Sequence, residues 1–121
     1  MPTIPGTLLK KLYVKGSLKN TESGFEFALK NTLAPGTIVG IRTLVVDGQK
    51  VDGSRVEVAF GSKTWTLDQI SVQNPLDFAV NLVVTVRVKG EPLAAGQHRI
   101  LIVPNTKEVG ELDIEIADTV A

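Results

Sequence analysis

The chain has 121 residues, 43% of them hydrophobic, and its 13 basic and 13 acidic side chains cancel. That length suits one domain with its own core, so residues 1–121 are expected to fold as a single unit. The charge balance gives no bulk attraction to nucleic acid, and the lack of cysteine excludes disulfides, thiolate metal sites and cysteine nucleophiles.

The opening segment, Met1-Pro2-Thr3-Ile4-Pro5-Gly6, has neither the basic flank nor the apolar stretch of a signal peptide. No apolar run approaches the ~18–20 residues that cross a bilayer. A soluble, cytoplasmic protein without membrane contact is the expectation, with residues 1–10 as an extended N-terminal arm. Leu12, Val14 and Leu18 alternate with Tyr13, Lys15 and Ser17, which predicts a strand over 12–18. Gly24 to Leu29 alternates in the same way, and Asn31 to Gly36 ("NTLAPG") reads as a loop. Ile38 to Val46 is nearly continuous in apolar residues, as a strand buried on both faces would be.

Val56 to Phe60, the pair Gly61-Ser62, and Thr64 to Leu67 predict a tight hairpin in which Val58 faces Trp65 and Val56 faces Leu67. A short helical turn fits Leu67-Asp68-Gln69-Ile70. Val80, Leu82, Val84, Val86 and Val88 share one face of a long predicted strand, and His98, Ile100 and Ile102 share one face of another. Leu112, Ile114 and Ile116 point in while Asp113 and Glu115 point out. About eight short strands and no long helix predict an all-β fold, an antiparallel β-sandwich of jelly-roll type.

Candidate chemistry begins at Val46 to Gly53, "VDGQKVDG", where Asp47 and Asp52 stand five residues apart. Two carboxylates suit a metal or acid/base work. Asp-Gly between apolar runs is also the strongest short-range hairpin signal, because both residues accept the positive φ such a turn requires. A calcium loop needs further oxygen ligands and a late Glu, and the pattern fails after Asp52. Both aspartates are therefore read as turn residues.

His98 is the only histidine, so no multi-histidine metal site exists, and as a general base it needs an orienting carboxylate that the sequence does not identify. Nucleophile elbow, Walker loop and dinucleotide fingerprint are all absent. Trp65 suits the core, or else a sugar platform. Asn74 to Phe78, "NPLDF", reads as a loop in which Pro75 biases Asn74 to be extended. Its Leu76 and Phe78 either meet a partner or plug the end of the sandwich. Trp65, Asn74, Leu76, Asp77, Phe78 and His98 are thus the partner-interface candidates, with no catalytic, cofactor-binding or metal-binding residue assigned. A self-contained hydrolase would have to use scattered carboxylates such as Asp47, Asp68 or Asp77.

Taken together, "SGFEF", "VDGQKV", "KTWTLDQI", "NPLDF" and "LAAGQH" give the chain, from Ser23 to Val120, a resemblance to the small β subunit of bacterial C-glycoside deglycosidases. The segment Arg99 to Pro104 departs from it, lacking the Arg-Ser/Thr-Tyr stretch of some relatives. The resemblance implies a non-catalytic subunit beside a larger α subunit, a barrel of the sugar phosphate isomerase/epimerase type. That α subunit would hold a divalent metal, manganese, and would cleave the carbon–carbon bond of a 3-keto-C-glycoside by elimination. This chain would hold no cofactor and, alone, would be inactive. The alternative is a stand-alone carbohydrate-binding β-sandwich module.

Overall fold

The computed structural model describes residues 6–120. Eleven strands follow a first helical turn: β1 (Lys19–Thr21), β2 (Gly24–Lys30), β3 (Gly36–Val46), β4 (Gln49–Lys50), β5 (Val56–Phe60), β6 (Lys63–Thr66), β7 (Leu76–Phe78), β8 (Val83–Lys89), β9 (Gly96–Thr106), β10 (Gly110–Glu111) and β11 (Ile114–Val120). They form two antiparallel sheets. One sheet runs β1-β2-β8-β5-β6. In the other, β3 and β9 are the centre, with β11 and β10 along the outer side of β9 and with β7 and β4 along that of β3. The all-β expectation holds. Among the described residues, no helix is long and apolar enough to cross a membrane.

Alternation decides which side chains meet between the sheets. Phe25, Phe27 and Leu29 of β2 and Val84, Val86 and Val88 of β8 join Leu44 of β3, Ile100 and Ile102 of β9, and Ile114 and Ile116 of β11 in one apolar cluster. The outer face of the first sheet instead carries charge. Glu26 lies opposite Lys19 on one side and Arg87 on the other, at 4.0 and 3.8 Å, and Arg87 lies opposite Glu57 in turn. Opposite charges placed across strands support pairing without adding to the core.

The two hairpins expected from their dipeptides form. Asp47 (φ 51°) and Gly48 (φ 82°) make the tight β3–β4 turn, with Val46 opposite Gln49. Gly61-Ser62 joins β5 to β6 and sets Val58 opposite Trp65. The second expected pair, Val56 with Leu67, does not form. Leu67 has already entered a 3-10 turn, Leu67–Gln69, closed by a capping box between Thr66 and Gln69.

Other expectations fail for identifiable reasons. The predicted strand over 12–18 is absent, and so is an extended course for residues 6–10. Residues 1–5 lie outside the described part. A helical turn, Gly6–Leu9, and a 3-10 turn, Lys10–Leu12, replace them. Tyr13 makes a single bridge to Leu29, and the chain then turns as the Ser17 amide donates to Val14 O (3.0 Å). Leu12 and Leu18 are buried nonetheless, so their alternation marked the core but not the backbone path. The strand expected from Val80 starts only at Val83, because Asn81 adopts φ 71° and breaks it; Val80 is 43% exposed. β3 is buried at Ile38, Leu44 and Val46 rather than on both faces, and two register shifts against β9 interrupt it.

Candidate functional site

Of the polar side chains with chemical potential, Asp47, Asp52 and Asp68 sit at turns, and Asp77 and His98 on strands. The clearest contact joins Asp47, in the β3–β4 turn, to His98, on β9. Both Asp47 and Arg99 backbones take part: the Asp47 amide donates to Arg99 O (2.8 Å), and the Arg99 amide donates to Asp47 Oδ1 (2.9 Å). That leaves Asp47 Oδ2 to accept from His98 Nδ1 at 2.5 Å, while His98 Nε2 donates to Ala94 O at 2.7 Å. The orienting carboxylate missing from the sequence reading is therefore Asp47, 51 positions away.

Both ring nitrogens of His98 face acceptors, and only the imidazolium has two N–H groups to satisfy both. Its hydrogen bond to Asp47, and then that to Ala94, hold the His98 pKa above the ordinary 6.5. The same bond from His98, with that from the Arg99 amide, holds Asp47 below the ordinary 3.8. The imidazole is 12% exposed and the Asp47 side chain 45%, so the pair is partly solvated and its strength modest. A general base needs a nitrogen free to take a proton from a substrate. His98 has none, and the arrangement ties a turn to a strand.

A pH dependence follows from this geometry. The raised pKa of His98 makes its contribution to stability complete below 6.5 and lost as pH rises through the raised folded value. The lowered pKa of Asp47 makes its contribution complete above 3.8 and lost as pH falls through the depressed folded value. The pair thus supports the fold most between those two ordinary values. We expect the difference in Tm between wild type and Asp47→Asn to be largest in that acidic window and to shrink on the alkaline side. A difference that stays constant from mildly acidic to alkaline pH, read by thermal denaturation, would contradict this assignment.

Asp52 does not share a site with Asp47. It caps a 3-10 turn, Gly53–Arg55, accepting at one oxygen from the Ser54 amide (3.0 Å) and hydroxyl (2.9 Å). Asp68 accepts from the Thr66 hydroxyl beside the next 3-10 turn, and Asp77 is exposed on β7 opposite Thr37. These carboxylates are dispersed rather than paired. Among the described residues, no group of three or more His, Cys, Asp or Glu side chains is placed to hold a metal ion.

The interface candidates separate by burial. Leu76 and Phe78 are 2% and 8% exposed and plug the core, the second of the two readings their sequence allowed. Asp77 between them faces solvent. Trp65 is half-buried on β6. Asn74 is exposed, but its side chain donates to Gln69 O (2.8 Å) and its amide to Ser71 Oγ (3.2 Å), which holds its own loop.

Two polar knots escaped the sequence reading. Tyr13 OH donates to Asp118 Oδ2 (2.6 Å), which also accepts from the Gly16 amide (2.8 Å), and this fastens the first turns to β11. Burial and the Asp118 bond raise the Tyr13 pKa, and the Tyr13 hydroxyl lowers that of Asp118. Nothing local signals a contact across 105 positions. Asn31, 3% exposed, bonds Ala34 O (2.8 Å), Phe78 O (2.7 Å) and the Leu33 amide (3.1 Å). Its signal was present: an amide side chain between apolar Leu29 and Leu33, just before a Pro-Gly loop.

A family model described as the hydroxymethylglutaryl-CoA reductase N-terminal domain matches residues 8–121. No curated protein matches the chain. The family match overturns the resemblance to C-glycoside deglycosidase β subunits. With it go the 3-keto-C-glycoside substrate, the lyase reaction, the isomerase-like α subunit to which manganese was assigned, and the carbohydrate-binding alternative. The physical reason lies in what the quoted segments do. "VDGQKV" is a tight hairpin, "KTWTLDQI" is an edge strand running into a capped 3-10 turn, and "NPLDF" is a core plug. Such segments encode turns and burial, which unrelated all-β chains share.

Proposed function

The chain belongs to the hydroxymethylglutaryl-CoA reductase N-terminal-domain family, an enzyme family, and from that membership we infer that it is a non-catalytic module accompanying the reducing unit of such an enzyme. The observation that carries this reading is the state of His98, whose two ring nitrogens are both spent on internal acceptors. The carboxylates support it: Asp47, Asp52 and Asp118 each hold a turn or a chain crossing. Such a module contributes a rigid sheet scaffold and a contact surface. Of the six interface candidates, Trp65, Asn74 and Asp77 keep surface outside the core and are the residues this reading assigns to contact with the rest of the enzyme.

One experiment tests it. The chain alone, given hydroxymethylglutaryl-CoA and a reductant, should leave the thioester intact by liquid chromatography. It should co-elute with the catalytic unit on size exclusion, and a Trp65→Ala, Asn74→Ala, Asp77→Ala triple variant should co-elute less. Consumption of the thioester in proportion to the chain alone would overturn the non-catalytic reading, and undiminished co-elution of the folded triple variant would remove those three contacts.

A further inference from the structure

Between the two sheets, at the end where β2 crosses to β3, lies a cavity of about 220 Å³. Leu29 and Val86 line it from one sheet, Leu76, Ile102 and Ile114 from the other, with Ile70 from the segment between β6 and β7. Natural cores leave few voids larger than a water molecule. An apolar cavity of about 150 Å³ already admits benzene, while water finds no partners in one. This space exceeds that size, and its wall is almost wholly hydrocarbon.

The mouth is built rather than left over. On one side Asn31 holds the loop of Leu33 and Ala34 through two hydrogen bonds and ties it to Phe78 O through a third. On the other side Glu108 accepts from the Thr37 amide and hydroxyl, both at 2.8 Å, and the Lys107 amide donates to Thr37 O (3.0 Å). Those bonds fix the backbone on each side of the opening. Glu108 is also the one charged residue lining the cavity among the described residues. Its Thr37 bonds keep the carboxylate ionised below its usual range, so an anionic head group entering there meets a fixed negative charge.

We propose that this cavity is a binding site for a small uncharged apolar molecule of about six to nine carbons, a size scaled from the benzene-holding case. The site belongs to the sheets of the chain itself and stands whether or not the module reading above holds. The test is a titration of the methyl-labelled chain with 1-hexanol and, separately, with hexanoate, followed by NMR. Hexanol should shift the methyl resonances of Leu29, Val86, Ile102 and Ile114 saturably and give intermolecular NOEs to them. Hexanoate should bind about fivefold more weakly, as a like charge at a partly exposed rim requires. Val86→Phe, which fills the space, should abolish the shifts. The NOEs serve in its place if that variant does not fold. Absence of NOEs at the solubility limit of hexanol would overturn the proposal. So would shifts confined to the exposed Val72, Val80 and Val83, or hexanoate binding as tight as hexanol.

Discussion

Gly24→Ala should destabilise the chain by about 2–4 kcal/mol, in the range of severe overpacking with loss of pairing. Gly24 opens β2, where its backbone passes β8 with φ 157°. A Cβ there would stand 1.9 Å from Val88 O, 3.0 Å from Val88 C and 3.1 Å from Gly90 N. All three are backbone atoms, so no rotamer change relieves the clash. The start of β2 must leave β8, which loses the pairing of Gly24 with Lys89 and the bond from the Gly90 amide to Ser23 O (2.8 Å). Phe25, 5% exposed and next in the strand, is drawn out of the core with it. Gly40→Ala is the control. Nothing lies within 4 Å of a Cβ at Gly40 and its φ is not positive, so the change should be within about 0.5 kcal/mol of neutral. Urea denaturation followed by the fluorescence of Trp65, the single tryptophan, reads both. A Gly24→Ala midpoint equal to that of Gly40→Ala would contradict the close approach.

The contrast between those two glycines shows where sequence reading ends. Nothing in the residues around Gly24 says that β8 passes so close, since that contact is set by pairing across more than sixty positions. The same limit governs Asp47 and His98. Asp47 was legible as a turn residue, because Asp-Gly chemistry is local. Its bond to His98 was not, because the register of β3 against β9 decides it, and that register shifts twice along the pair. Val58 opposite Trp65 was legible because a two-residue turn fixes the register of a hairpin. The segment from Leu12 to Leu18 shows the intermediate case. Its alternation identified buried leucines correctly, but two helical turns and a bend present the same residues to the core. Function was less legible than fold for a related reason. The segments that suggested a family were turns, caps and plugs, which report how a sheet closes and say little about what it serves.

Asn31→Ala should cost about 2–4 kcal/mol, since each buried polar group left unpaired costs about 1–3 kcal/mol and neighbouring losses are not additive. Alanine would abandon Ala34 O, Phe78 O and the Leu33 amide at a position 3% exposed to solvent. These groups belong to two separate crossings between the sheets. The backbone joins the same two segments, with the Asn31 amide donating to Leu82 O (3.0 Å) and the Asn81 amide to Asn31 O (2.7 Å). The side chain is therefore one strut of a two-part tie, and the fold should survive with Tm lowered by about 10 °C. Asn31→Asp discriminates the hydrogen bonds from simple loss of volume. An ionised carboxylate keeps the acceptor for the Leu33 amide but sets a negative oxygen against two carbonyl oxygens. Its pKa in the folded chain must then rise above that of the unfolded chain. Stability of this variant should be greatest at acidic pH, where a protonated oxygen donates to one of the carbonyls, and should fall as pH rises through the raised value. An Asp variant with the same pH profile as the Ala variant would show that burial, and not the pattern of donors and acceptors, holds this end of the molecule closed.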